Sequence, residues 1–500
     1  MKRIIYSLML AAALSGAVVA QKPQPAPTSP VVTRKAPVVP YVTRVLPNGL
    51  EIIVYPDSGV PLVTVEMAVR TGSFTEPPEL NGLSHLFEHM IFKPNMARLA
   101  MQCDAAMKQG GLNEYGQRIC SVALNLKPEI GDTSYLNRID KIGIANNAET
   151  HEEVVNYYFT TTAEHVATSM RFLRDSIRFP NFDQEELEGE RQVVLAELDR
   201  HESEPGLALE RTMMEKLFYK YPSRKQPGGT RETVSTATIE KMQLIRSRYY
   251  IPNNSAIIVS GAVDPEKIFK MATDMFADWK RGPDPFVQYP MVKHPPLEKS
   301  EGIIVERPVS NMFVQVGWHG PSIGEDDAST YAADVFSYIV GQPDSRFQRA
   351  LVDSKLAVGA TVHYYTQRNT GPIRITLVPT PGNEKAAIKK LYEEIAQFTD
   401  PKYFTDEELE NAKTLLEAED LYRREKLSSY SQVLSFWWSS TGTEYYRGYY
   451  NNLRAVSRKD INNYITRYIQ NKPHIGIALL SPENQQTVKL TPSDLIGGAK

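Results

Sequence analysis

Apolar and polar residues alternate along "PLVTVEMAVRTGS", Pro61 to Ser73, the period-two pattern of a half-buried strand. Ahead of it, "TRVLPNGLEIIVYPD" predicts two strands around a turn at Pro47, Asn48 and Gly49. In "NGLSHLFEHMIF", Asn81 to Phe92, the apolar positions Leu83, Leu86, Phe87, Met90 and Ile91 recur with the helical period. Helical patterns return in "EELEGERQVVLAELDRHES", from Glu185, and in "DEELENAKTLLEAEDLYRREKL", from Asp406.

These elements fall into two similar halves. The strand "LVTVEMAVRTGS" resembles "MFVQVGWHGPS" about 250 residues later, and "NNSAIIVSGAVDPE" resembles "KPHIGIALLSPEN" about 220 residues later. The shorter second offset implies an insertion in the first half. A proline-rich, charged stretch at about 281–300 separates a unit at 41–280 from a unit at 301–500. Strands and helices mix without the regular alternation of a parallel sheet. The expected fold class is therefore α+β: two homologous units, each a mostly antiparallel sheet packed with helices.

Composition narrows the partners. Of 500 residues, 42% are hydrophobic and 23% charged, with a formal net charge of −3. That balance points away from nucleic acid and anionic membranes as main partners. Residues 1–20 read as a secretory signal peptide: Lys2 and Arg3, an apolar run, then Val18 and Ala20 before a cleavage point. The expected location is periplasmic or secreted. The apolar run is short for a membrane anchor, and no later segment is apolar enough to span a bilayer. Residues 21–40 are a proline-rich linker. The chain has two cysteines, Cys103 and Cys120, which either pair after export or stay as free thiols.

The helix "HLFEH" carries candidate chemistry. His85 and His89, four residues apart, share one helix face and can reach one metal ion. Glu88 stands beside them and can take a proton from water. The alternative is an amphipathic helix with half-buried histidines. A third ligand is sought in Glu190 and Glu197, seven residues apart on one helix face. That face could equally be solvated, although "RQVVLA" between them looks buried.

At this point the chain resembles the pitrilysin/insulinase family of zinc metallopeptidases, whose H-x-x-E-H order inverts H-E-x-x-H. The matching segments are "GLSHLFEHMIFK", "NAETHEEVVNYYF", "ERQVVLAE" and "YYIPNNSAIIVSGAVDPE", in the family's order. The resemblance implies a processing-peptidase-like fold and one Zn2+ ion per chain. It implies His85, His89 and Glu197 as ligands, Glu88 as general base and Glu190 as outer support. Asn147 and Ala148 match the edge strand that binds substrate backbone. The implied activity is endopeptidase cleavage of peptides or unfolded segments. The alternative is a catalytically weak peptide-binding or assembly subunit.

The sequence departs from the family in three places. His89 to Glu197 is about thirty residues longer than usual, which places the insertion at about 96–133 and both cysteines within it, as a disulfide-closed flap beside the site. Gly143 and Ile144 replace the usual paired glycines before the substrate strand. In the second half "YAADVFSYIVG" stands where the first has "GLSHLFEHMIF", so this half is expected not to bind zinc. There Val352 and Gly359 occupy the places of an arginine and a tyrosine that reach substrate in many family members. That loss favours a heterodimer with a zinc-less homologous chain, with a homodimer as runner-up.

Overall fold

The structure is a computed structural model that describes residues 38–497 except 110, 112, 140 and 144. The expected signal peptide, most of the linker at 21–40 and Ile144 lie outside the described residues. In the first half the strands are β1 (Val42–Val45), β2 (Glu51–Pro56), β3 (Leu62–Val69), β4 (Ala145–Thr150), β5 (Val155–Thr162) and β6 (Ser255–Gly261). They form one sheet in the order β1-β2-β6-β3-β5-β4. In the second half β7 (Glu301–Glu306), β8 (Phe313–His319), β9 (Ala357–Tyr364), β10 (Pro372–Pro379) and β11 (Ile475–Leu480) form the order β7-β11-β8-β10-β9. Apart from β1, the second order repeats the first strand for strand. Each sheet is antiparallel except for one parallel pair, β2 with β6 and β7 with β11.

The helices that matter for function are α1 (Leu83–Ile91), α2 (Met96–Lys108), α3 (Glu114–Asn125), α4 (Val166–Arg178), α5 (Gln184–Ser203), α6 (Pro205–Leu217), α7 (Ile239–Tyr249), α8 (Asp327–Gly341), α9 (Asp406–Arg423) and α10 (Leu427–Ser440). α1 follows β3 in the first half as α8 follows β8 in the second, and α5–α6 correspond to α9–α10. The two halves exchange helices. α10 lies on the first sheet, where Tyr430 and Leu434 share a core with Ala68, Ala256 and Ile258. α6 lies on the second sheet, where Met213, Met214 and Leu217 pack on Ile475, Ile477 and Leu479. Gly317 on β8 makes room: an added Cβ there would sit 2.5 Å from Met213 Sδ.

This exchange corrects the reading of β3 as half-buried. Every residue from Val63 to Val69 is buried, because α10 covers the face that alternation assigns to water. The polar residues on that face are paired instead. Asn156 Nδ2 donates to Glu66 Oε1 at 3.0 Å and to Ser435 Oγ at 3.3 Å, and Ser431 Oγ donates to Ser260 Oγ at 2.7 Å. Burial pushes the Glu66 carboxyl up to about 8, against the opposing hydrogen bonds from Ser435 and Asn156.

The expected insertion is helical. α2 and α3 pack as a hairpin, and the Cys103–Cys120 disulfide ties them with Cα atoms 5.6 Å apart. A small core of Ala97, Ile130, Tyr135, Leu136 and Phe179 seats the hairpin beside α4. It is thus a packed helical layer with its own core. The stretch 281–300 contains one short helical turn, Pro285–Gln288, and no strand. Among the described residues no helix is long and apolar enough to cross a membrane.

Candidate active site

α1 is fixed from three directions. Its N-cap, Gly82, has φ +85°, and an added Cβ there would lie 2.6 Å from Gly229 Cα, so two glycines pack back to back. The buried Glu76 carboxylate accepts from the Gly82 N–H at 2.8 Å and the Ser84 N–H at 2.6 Å, satisfying open donors of the first turn. Leu83, Leu86, Phe87, Met90 and Ile91 are buried in the first core. Each such side chain is worth about 1.5–3 kcal/mol of burial. The helix therefore cannot roll, and His85, Glu88 and His89 are held on its opposite, half-buried face.

α5 begins at Asp183, whose side chain accepts from the N–H groups of Glu185 and Glu186. Leu187 and Val194, seven apart, are its only fully buried residues among those described. The run "RQVVLA" is not buried as read: Val193 is 45% exposed, because only one residue in two turns meets the core. Glu190 and Glu197 repeat the same seven-residue spacing on the flank facing α1.

The two helices bring His85, His89 and Glu197 together. One ligand atom from each lies within 4.8 Å of the others. His85 Nε2 and His89 Nε2 stand 3.7 and 3.6 Å from Glu197 Oε2. His89 Nδ1 donates to Glu190 Oε2 at 3.0 Å, which orients the ring so that Nε2 faces Glu197. Lys93 Nζ in turn holds Glu190 Oε1 at 2.5 Å and Glu186 at 3.2 Å. Two imidazole nitrogens and one carboxylate oxygen converging on one point are a donor set that fits zinc. His85 lacks the outer partner that His89 has. Its buried Nδ1 makes no hydrogen bond among the described groups, and the ring is held edge-on to His89 with centroids 4.8 Å apart.

Electrostatics act in opposite directions on the two histidines, and a metal ion bound at His89 would have to displace a proton from its ring. Burial, then the neighbouring His89, lowers His85 to about 4, so its ring is neutral. Burial opposes charge on His89, but hydrogen bonds to Glu197 and Glu190 outweigh it and raise its pKa. The hydrogen bond from His89 holds Glu197 below the usual carboxylate range. Burial raises Glu88, against the opposing hydrogen bond from Thr150 Oγ1 to Glu88 Oε2 at 2.7 Å.

β4 closes one side. It is the last strand of its sheet, so its outer backbone edge has no strand partner among the described residues. Asn147 is exposed and Ala148 buried, paired with Tyr158 and Tyr157 of β5. The same strand supplies Thr150, so this open edge is tied directly to Glu88. Gly143, just before the strand, has φ +63°. Beyond the last turn of α5 lies a cavity of about 710 Å³, with Glu152, Leu198, His201 and Lys225 in its wall. In the second half Val352 is half-buried after α8, and Gly359 lies on β9 opposite Val378.

Glu76, Lys93 and Thr150 escaped sequence reasoning. Glu76 left a faint signal, an acid shortly before a helix start. Thr150 lies three residues beyond Asn147 on the strand already singled out. Lys93 left none.

Two family profiles match the chain. The profile "Insulinase (Peptidase family M16)" covers residues 52–114 and 129–230, leaving a gap within the α2–α3 insertion. The profile "Peptidase M16 inactive domain" covers residues 236–416. An uncharacterized zinc protease of Rickettsia felis is 24% identical over 401 residues, 78% of this chain and 85% of that protein. Zinc protease PqqE of Helicobacter pylori is 22% identical over 314 residues, 62% of this chain and 63% of that protein. Among solved structures, a protease from Helicobacter pylori superposes with TM-score 0.72 at 19% identity, covering 88% of this chain and 99% of that one. The first half of the periplasmic protease PqqL from Escherichia coli gives TM-score 0.71 at 17% identity, covering 93% and 98%. Against the whole of PqqL the coverage is 93% of this chain and 51% of that one.

Proposed function

This chain belongs to the insulinase family of peptidases, family M16, and from that premise we propose that it is an exported zinc-dependent metalloendopeptidase acting on peptides and unfolded segments. Support comes above all from the convergence of His85, His89 and Glu197 on one point, with Glu88 on the same face of α1. These three residues would hold one zinc ion per chain, with Glu190 orienting His89 from outside. A zinc ion bound there supplies Lewis acidity for the scissile carbonyl and for water.

The chain's own groups do the rest. A peptide extends along the outer edge of β4 at Asn147 and Ala148, exchanging backbone hydrogen bonds with this edge strand. Glu88 takes the proton of the attacking water on Oε1, the oxygen that Thr150 leaves free, and delivers it to the departing amine. Thr150 keeps the carboxylate aimed and offsets part of the upward push of burial. Because one strand carries both the docking edge and Thr150, a docked peptide and the base are positioned together.

The partner is a second, zinc-less homologous chain. Val352 and Gly359 lack the chemistry to reach a substrate, and this chain aligns with the first half of PqqL and with 51% of its full length. Export rests on the character of residues 1–20.

The test pairs zinc analysis with cleavage of a quenched-peptide library by the mature chain and by Glu88→Gln. The variant is expected to keep zinc and lose cleavage. Zinc in both and cleavage in neither would favour the peptide-binding or assembly reading, or a missing partner chain. Zinc in neither would overturn the ligand set.

A further inference from the structure

The second half carries other residues at the positions that correspond to the candidate metal ligands. On α8 the buried Val335 and Phe336 stand where Leu86 and Phe87 stand on α1. That register puts Asp334, Ser337 and Tyr338 at the places of His85, Glu88 and His89. α5 and α9 start from N-caps Asp183 and Thr405. Counted from those caps, Glu419 takes the place of Glu197 and Ala412 that of Glu190.

Between α8, α9, α10 and the end of β9 lies a cavity of about 1030 Å³ with Asp334, Ser337, Tyr338 and Glu419 in its wall. That is ample for a small ligand or a long side chain. Its walls are aromatic: Tyr338, Tyr365, Phe436, Trp437, Tyr449 and Tyr450.

Its charges do not cancel. Glu419 is matched by Arg423 at 2.5 Å, and Asp420 by Arg424 at 2.5 Å. His363 is held toward its neutral form by burial and by Arg374. Asp334 alone is left over. Its Oδ2 accepts from the Tyr449 hydroxyl at 2.6 Å, and among the described residues no cation pairs with it. Burial pushes its carboxyl up to about 7, as expected for an acid waiting without a counter-ion. A lone carboxylate in an aromatic box is costly when empty and complementary to an organic cation.

We propose that this cavity binds an organic cation, an alkylammonium or guanidinium group, with Asp334 as counter-ion and the ring faces around it. The group could belong to a free small cation or to a lysine or arginine side chain of a peptide. The site stands apart from the zinc site and holds whether or not the first half cleaves peptides.

The test is titration calorimetry on the zinc-loaded mature chain carrying Glu88→Gln, which prevents turnover of peptide probes. The probes are n-butylguanidinium, its neutral isostere n-butylurea, and a capped Ala-Ala-Arg-Ala-Ala peptide with its citrulline analogue. Saturable binding of the cations, at least tenfold weaker for the neutral probes and for Asp334→Asn, is the expected result. Asparagine keeps an acceptor for Tyr449. As a second variant, Gly341→Leu projects into the same cavity from a position where an added Cβ meets nothing within 4 Å, and it is expected to weaken the cations comparably. Tighter binding of the arginine peptide than of n-butylguanidinium identifies a peptide source, and the reverse a free small cation. No saturable cation binding, equal binding of the isosteres, or undiminished binding by both variants overturns the proposal.

Discussion

Glu190 offers the sharpest test of the metal centre, because it is proposed to act on zinc without touching it. It accepts from His89 Nδ1 at 3.0 Å, and its side chain is only 12% exposed, so this charge-assisted bond is poorly screened. Loss of such an outer partner typically lowers metal affinity 10–100-fold, or about 1.4–2.8 kcal/mol. Glu190→Gln keeps an amide oxygen that can still accept from Nδ1–H, so the loss is expected near the lower end, about tenfold. Glu190→Ala also strands Lys93, whose ammonium sits 2.5 Å from Glu190 and 3.2 Å from Glu186, and should approach the upper end, about 100-fold. Zinc affinity is measured by competition with a chromophoric chelator at pH 8. Cleavage is measured in parallel at saturating zinc. Saturation should restore most of the cleavage in Glu190→Gln but not in Glu197→Gln, which lacks a ligand. Affinities within twofold of the unmodified chain for both Glu190 variants would refute the outer role. Complete loss of zinc in Glu190→Gln, with retention in Glu197→Gln, would mean that the two glutamates have been assigned the wrong way round.

Thr150→Val removes the 2.7 Å hydrogen bond that opposes the effect of burial on Glu88; the acid limb of the kcat/KM pH profile should move to higher pH, and an unmoved limb would sink this role. Glu66 is neutral in the fold up to about 8 and ionises near 4.5 when unfolded, so the folded state binds the extra proton between those values and stability falls as pH rises through that window. Glu66→Gln should therefore raise Tm by several degrees at pH 8 and by much less at pH 5, and equal shifts at both would contradict the assignment. Cys103 and Cys120 close a loop with sequence separation 17, a constraint worth about 3 kcal/mol in the chain-entropy account. Replacing both with alanine should make α2 and α3 the first segments cut by limited proteolysis, and an unchanged cleavage order would show that the small core around Phe179 suffices.

Much of the architecture is legible in the chain. The repeat points to two similar units, and the difference between its offsets points to extra residues between β3 and β6, the interval in which α2 and α3 lie. The exchange of α6 and α10 is not legible. Each helix shows an apolar face, but nothing local says which sheet it covers, and β3 reads as half-buried because alternation cannot reveal a second covering layer. "RQVVLA" errs the other way: an apolar run in a helix is buried only where its face meets a partner.

For the site, sequence alone determines what one helix can do. The four-residue spacing of His85 and His89 and the seven-residue spacing of Glu190 and Glu197 each put a pair on one face, because the helical period fixes direction within an element. Tertiary structure decides the relation between elements. It sets Glu197 within 4 Å of both imidazole Nε2 atoms and Glu190 behind His89 on Nδ1, a difference of roles that equal spacing cannot encode. It also brings Thr150 to Glu88, Lys93 to Glu190 and Glu76 to the start of α1. In the second half it leaves Asp334 in an open aromatic cavity, where sequence records only lost histidines. Periodicity orients side chains within an element, and only packing between elements sets the distances on which coordination and proton transfer depend.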